Sequence, residues 1–240
     1  MGHLIGISFA GVDMQTDVDK LIKLKEQSMP DFVEFGILLS QNWQENGNRY
    51  FDPDQLGRFR GSGLNLCAHL CGSIAREAVR GNWIPFFYLV GDNVDLFKRV
   101  QLNIAGYKDS NPDVLDIIPP DPVKEVIIQQ KAAYDCRLFY EWKLKHPNDT
   151  RLSVLIDGSG GMGIDTTVVP LPDVDKVGYA GGIGPDNVFG KVSELIQKSC
   201  VRDFWLDMES KIRTRDDWFD INKAEVVMQK TSIFRQLKDN

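Results

Sequence analysis

The chain has 240 residues, 42% of them apolar and 26% charged, with a net charge of −6. That length allows one large α/β domain or two small ones, and the apolar share supports a sizeable core under a soluble surface. Lysine and arginine are scattered rather than clustered, so the basic stripe of a nucleic-acid-binding protein is missing. No run approaches the roughly 20 apolar residues that cross a bilayer. The start, Met-Gly-His-Leu-Ile-Gly-Ile-Ser, lacks the basic region and long apolar core of a signal peptide. Four cysteines in this length make no disulfide scaffold, so the expectation is a cytoplasmic protein with free thiols and no membrane or nucleic-acid partner.

Apolar runs of four to eight residues alternate with longer helical or polar stretches. Leu4 to Phe9 is the first run, followed by a helical stripe of Val18, Leu21, Ile22 and Leu24. Phe32 to Leu39 is the second; a polar loop follows, then a helix start at Asp52-Pro-Asp. Leu64 to Leu70 is the third, with an interrupted helical region from Ser73 to Lys98. Val100 to Ile104 is the fourth, and the proline-rich stretch 111–122 after it has room only for a short helix. Val126 to Gln130 is the fifth, with a helix expected from Ala132 to Lys145. Leu152 to Ile156 is the sixth and opens into Asp157-Gly-Ser-Gly-Gly-Met-Gly163. Lys176 to Ala180 is the seventh, with its helix from Asn187 to Lys198; Asp203 to Asp207 is the eighth, and Asn222 to Met228 begins a closing helix.

This βα alternation predicts a parallel sheet covered by helices. Eight strands, no Gly/Ser-rich linker and a length near 250 residues predict a single (β/α)₈ TIM barrel spanning residues 1–240. A doubly wound open sheet is the alternative. In a barrel, active groups gather at the carboxyl ends of the strands. There the sixth, seventh and eighth strands lead into Gly160 and Gly161, into Gly181 and Gly182, and into Asp207 to Arg213. Glycines admit close approach to the backbone, and N–H groups at a helix start carry partial positive charge. Three such neighbouring turns, with Pro185 expected in the first turn of a helix, predict a cradle for a phosphate.

Tyr179-Ala-Gly-Gly-Ile-Gly-Pro-Asp-Asn-Val188 resembles the Leu-Ala-Gly-Gly-Leu-x-Pro-x-Asn-Val motif of the phosphoribosylanthranilate isomerase family. Leu155-Ile-Asp157 with its glycine loop, Arg49 to Gln55 and Val100-Gln-Leu-Asn103 are similar to further stretches of that family. The resemblance implies a barrel of tryptophan biosynthesis that needs no cofactor and carries out an Amadori rearrangement of a 5′-phosphoribosyl amine. It implies Asp157 as the general acid, and Arg49 as the clamp on a substrate carboxylate. It also places Asn103 and Asp207 at substrate-binding positions, and Gly160, Gly161, Gly181, Gly182 and Ser210 around the phosphate. Lys211 stands where the family's phosphate motif has glycine, and Asn103 where the fourth strand has histidine. The family's base, a cysteine of the first strand, corresponds to Ile5, which cannot take a proton.

Candidates for a substitute base are Cys67, His69 and Asp13. Cys67, His69 and Cys71 alternate along the third strand and share one face. If that face is the barrel interior, Cys67 or His69 would reach a substrate; facing outward, the arrangement we expect, the three pack against helices. Positions two apart on a strand are roughly 6–7 Å apart, too wide for one tetrahedral ion, so no metal site is expected. Cys136 and Cys200 fall in helical patterns, the five tryptophans read as packing, and Lys211 to Asp217 reads as a solvated loop. Two rivals to an isomerase remain: a phosphate-binding barrel that has lost its base, and another phosphate-barrel enzyme, an epimerase or a lyase using Lys131 as Schiff-base lysine. Oligomeric state is not legible.

Overall fold

A computed structural model describes residues 2–45, 47–104, 119, 121–131, 137–160, 162–164, 174, 176–198 and 203–235. Eight strands close a barrel in sequence order: β1 (His3–Ala10), β2 (Val33–Leu39), β3 (Leu66–Leu70), β4 (Phe97–Leu102), β5 (Glu125–Gln130), β6 (Leu152–Asp157), β7 (Lys176–Ala180) and β8 (Asp203–Met208). Each pairs in parallel with its neighbours, and β8 returns to β1 with Ser8 opposite Asp207. The barrel is therefore a (β/α)₈ fold, and the open-sheet alternative is excluded.

Helices α1 (Val18–Glu26), α2 (Gly72–Val79), α3 (Ile84–Val90), α4 (Arg137–Lys145), α5 (Val188–Lys198) and α6 (Ile221–Arg235) lie outside the strands. The strands face them with one half of their side chains. In β2, Val33, Phe35, Ile37 and Leu39 join the outer core, while Glu34, Gly36 and Leu38 point into the barrel. This two-sided burial explains why the strands read as continuous apolar runs rather than clean alternations.

Several local expectations shift. The crossover after β2 is a 3-10 helix, Pro53–Phe59, rather than an α-helix. Asp52 caps it through the Asp54 N–H at 3.0 Å, but Gly57 within a seven-residue segment favours the tighter winding. β4 starts three residues early, because Phe97 packs in the outer core and takes up the end of the supposed helical region. α5 proper begins at Val188; Pro185 sits in the turn ahead of it, closed by Val188 N–H donating to Gly184 O at 2.9 Å. Residues 111–118 and 120 of the stretch expected to hold a short helix, the start of the helix at Ala132, Cys136 and Cys200 lie outside the described residues. Among the described residues no helix is long and apolar enough to cross a membrane.

Candidate active site

One cavity of about 360 Å³ opens at the carboxyl ends of the strands. Gly160 and Gly163 of the β6 turn, Gly181 and Gly182 of the β7 turn, and Ser210 and Lys211 after β8 all line it. The three turns singled out in the sequence therefore meet at one rim, and the space between them is open. Asn187 shapes the β7 turn: its Oδ1 accepts from Gly184 N–H at 2.9 Å and its Nδ2 donates to Gly182 O at 3.0 Å. Gly161 lies outside the described residues.

Asp157 and Asp207, the inward-facing residues at the ends of β6 and β8, sit in the same cavity. Their surroundings differ. Asp157 is 3% exposed and accepts three hydrogen bonds, from Gln129 Nε2 at 2.8 Å, Ser159 N–H at 3.0 Å and Ser159 Oγ at 2.7 Å. Asp207 is 8% exposed, and its Oδ1 is buried without a hydrogen-bond partner. Burial, first, and the neighbouring Glu209 carboxylate push Asp207 up to about 8. At neutral pH the cavity thus holds a protonated Asp207 carboxyl beside Asp157, whose oxygens are surrounded by donors.

Arg49 lines the cavity too, but it is held by the protein's own acids. Its Nε donates to both oxygens of Asp217 at 3.0 and 2.8 Å, and its Nη1 to Glu209 Oε1 at 2.8 Å and Ser210 Oγ at 3.3 Å. Asp217 in turn binds Arg213 Nε at 2.9 Å, and Arg213 reaches Asp13 Oδ2 at 3.1 Å and Gly11 O at 2.5 Å. This ladder straps the loop after β8 to the loops after β1 and β2. Lys211 to Asp217 is accordingly a solvated loop only in part: Lys211, Thr214, Arg215 and Asp216 are exposed, while Ile212 and Arg213 are buried.

The substitute bases fare differently. Asp13 lies outside the cavity and is an anchor: besides Arg213 it accepts from Phe219 N–H at 2.5 Å and Thr16 Oγ1 at 2.9 Å. The Cys67-His69-Cys71 face points into the barrel, not outward as expected, because Leu66, Ala68 and Leu70 are the side chains that meet the helices. Cys67 sits below the cavity in an inner layer with Ile127, Leu155 and Trp205, and burial raises its thiol well above the usual range. Such a thiol makes a poor base. His69 reaches the cavity wall, yet its Nε2 is buried against Gly36, where a Cβ would come within 2.7 Å of it; only glycine fits there. Its Nδ1 meets Gln101 Nε2 at 3.3 Å, and burial lowers it to about 3, so it stays neutral and takes a proton poorly.

Ile5 proves uninformative about the base. It packs beneath the inner layer and lines a different cavity at the amino ends of the strands. No β1 side chain lines the upper cavity. Lys131 is exposed, with its stem about 3.6 Å from where a Cβ on Gly160 would stand, and it does not line the cavity; a Schiff-base lyase loses its candidate. Asn103 does line it, donating to Cys71 Sγ at 3.3 Å and accepting from Gln101 Nε2 at 3.0 Å.

The sequence reading missed Gln101, Gln129, Tyr50, Cys71 and Glu209 as lining residues. A signal existed for the first two: each is a polar residue at an inward position near the carboxyl end of its strand, directly after an apolar residue, Val100 or Ile128.

No family model matches the chain, and no curated protein sequence does. Solved structures do. Phosphoribosylanthranilate isomerase from Thermus thermophilus superposes with a TM-score of 0.57 at 13% identity, over 96% of this chain and 100% of that one. Monomers generated from the dimeric phosphoribosylanthranilate isomerase of Thermotoga maritima give 0.57 at 13% identity, over 95% and 99%. TrpF from Jonesia denitrificans gives 0.58 at 11% identity, over 95% and 97%. At these identities the likeness establishes that the chain shares the (β/α)₈ fold of those proteins.

Proposed function

We propose that the chain is a sugar-phosphate isomerase that carries out an Amadori-type rearrangement on a phosphorylated pentosyl amine. The observation that carries this reading is the pair Asp157 and Asp207 in one cavity with the glycine turns of β6 and β7. A phosphate fits the turns: Gly181 and Gly182 offer backbone without side chains, and Lys211 adds a cation at the rim. The sugar then extends towards the two aspartates.

The resemblance gives Asp157 the acid's part. The surroundings favour the reverse assignment. Asp207, with its carboxyl at about 8, carries the proton at neutral pH. It donates to the ring oxygen as the C1–O bond breaks, leaving an open-chain protonated imine. Asp157, already an acceptor for three donors, then takes the proton from C2. The resulting enol-amine takes that proton back from Asp157 at C1 and gives up its 2-hydroxyl proton to Asp207 as the C2 carbonyl forms, so the aminoketose is released with both aspartates restored and no proton gained or lost overall. A carboxyl kept protonated by burial, Asp207, next to a second carboxyl in different surroundings suits such acid–base work.

Conversion of phosphoribosylanthranilate by the purified protein tests the reading, with Asp157→Asn and Asp207→Asn alongside. Turnover lost in both variants supports it; no turnover by the unaltered protein ends it. One observation favours a second reading, a binding barrel without catalysis: Arg49, the expected carboxylate clamp, is already engaged by Glu209 and Asp217. Calorimetry showing full occupancy by the substrate with no product formed selects that reading.

A further inference from the structure

At the opposite end of the barrel, the amino ends of the strands surround a second cavity of about 920 Å³. The layer of Cys67, Ile127, Leu155 and Trp205 lies between the strand ends and separates it from the upper cavity. A volume of this order accommodates a small organic molecule.

Its charge is set apart from that of the whole protein. Among the described residues, Lys98, Arg99, Lys124, Lys143 and Lys176 line it against Asp31, Glu34 and Glu125, in a chain of net charge −6. The deep groups neutralise one another. Arg99 contacts Glu34 at 3.2 Å and Glu125 at 3.3 Å, and Lys176 contacts Glu125 at 2.8 Å. Lys98 meets Asp31 at 3.7 Å. The excess therefore falls on Lys124 and Lys143. Lys124 pairs with Asp121, which is 88% exposed and outside the cavity, and Lys143 donates to the Asp149 carbonyl at 2.9 Å.

The remaining walls are mixed: Ser8, Asn65, Thr150 and Ser153 line them in part, and an apolar stretch is formed by Phe139 and Leu152, buried against the outer core, with Val174 and Phe32 as further lining residues. Trp205 lines this cavity and not the upper one. Its indole is 3% exposed, lies 4.7 Å under the Arg99 guanidinium, and its Nε1–H is buried with no acceptor. A methyl on Gly178 would run into this indole, so the ring occupies the space that glycine leaves. A buried donor lacking an acceptor is uncommon and calls for explanation by something the site binds.

We propose that this lower cavity is a second ligand site, for an aromatic or branched apolar carboxylate that carries a hydrogen-bond acceptor at its far end. The carboxylate meets Lys124 and Lys143, the body lies against Phe139, Leu152 and Val174, and the acceptor takes the Trp205 N–H. Nothing in this argument depends on the chemistry of the upper cavity.

Calorimetric titration of the whole protein tests it with three probes: 4-(4-acetylphenyl)butyrate, its uncharged methyl ester, and 4-(4-ethylphenyl)butyrate, which lacks the acceptor. The acetyl acid binds one to one, the ester at least about tenfold more weakly and the ethyl acid more weakly as well. Lys124→Gln with Lys143→Gln, the first exposed and the second half-buried, abolishes the preference for acid over ester. Trp205→Phe abolishes only the preference for acetyl over ethyl. Asp207→Asn in the upper cavity leaves all three affinities unchanged. No binding by the unaltered protein, equal binding of acid and ester, an acid preference that survives the double lysine substitution, or loss of binding in Asp207→Asn each overturns the proposal.

Discussion

Replacing Asp207 by asparagine should make the protein more stable and less active, with the gain in stability growing as pH rises. The carboxyl moves from an ordinary value of 3.8 to about 8 on folding. Between those values the folded chain holds a proton that the unfolded chain releases. Unfolding free energy therefore falls as pH rises through this window, by about 1.4 kcal/mol per pH unit for one fully linked group. Asparagine carries no such penalty. The variant's advantage over the unaltered protein is then near zero at about pH 4 and reaches a ceiling of about 4 kcal/mol at pH 7. The amide must find partners in a place where Oδ1 had none, and that lowers the gain to about 2–3 kcal/mol. Urea denaturation of both proteins at four pH values between 5 and 8 reads the difference directly, since the other titrating groups are common to both. A difference that stays flat across this range refutes the reasoning, because it would mean that Asp207 ionises in the fold as it does in the open chain. The same substitution should reduce turnover by about 10²–10⁴-fold if Asp207 supplies the proton.

Other consequences are equally open to measurement. If the proposed reaction holds, kcat/KM of the unaltered protein should fall above about pH 8, where Asp207 loses its proton, and a profile flat to higher pH would contradict the acid's assignment. His69, lowered to about 3 by burial, stays neutral in the fold while the unfolded chain protonates near 6.5. Its contribution to stability is therefore lost as pH falls below about 6.5, and its ring resonances in NMR spectra should not titrate down to about pH 4.5. Gly178→Ala should destabilise by about 1–3 kcal/mol or more in chemical denaturation, because the added methyl meets both the Trp205 indole and the Leu155 side chain. Arg213→Met leaves the buried Asp13 carboxylate without its cation and should cost about 3–5 kcal/mol. A loss below about 1 kcal/mol would show that the ladder from Asp13 to Arg49 is dispensable.

The barrel was legible because its strands are buried on both faces and stand out as apolar runs; β7 matches its predicted limits, Lys176 to Ala180, to the residue. The convergence of the glycine turns followed from barrel geometry alone, since β6, β7 and β8 are neighbours and their carboxyl ends must share a rim. What failed was orientation. Alternation placed Cys67, His69 and Cys71 on one face, but period two cannot say which face is inside; that depended on Leu66, Ala68 and Leu70 meeting the helices. Asp13 looked like a candidate base and Arg213 like part of a solvated loop, because each has its partner about 200 positions away, beyond any local pattern. Ile5 was misleading for a related reason. Its place in the motif suggested the catalytic end of β1, while the register of that strand puts it near the other mouth. The lower cavity was invisible for want of a motif: Glu34, Arg99 and Glu125 are single charges near strand starts, and only closure of the barrel brings them together.

The central claim is that the turns after β6, β7 and β8 hold a phosphate beside Asp157 and Asp207. Titration of ribose 5-phosphate and of ribose into the protein, followed by ³¹P NMR and calorimetry, tests it most directly. The phosphorylated sugar should bind, ribose should bind at least about a hundredfold more weakly, and Ser210→Asp, which adds a like charge at the rim, should abolish the difference. Equal affinity for the two sugars, or a phosphate preference untouched by Ser210→Asp, would contradict the claim.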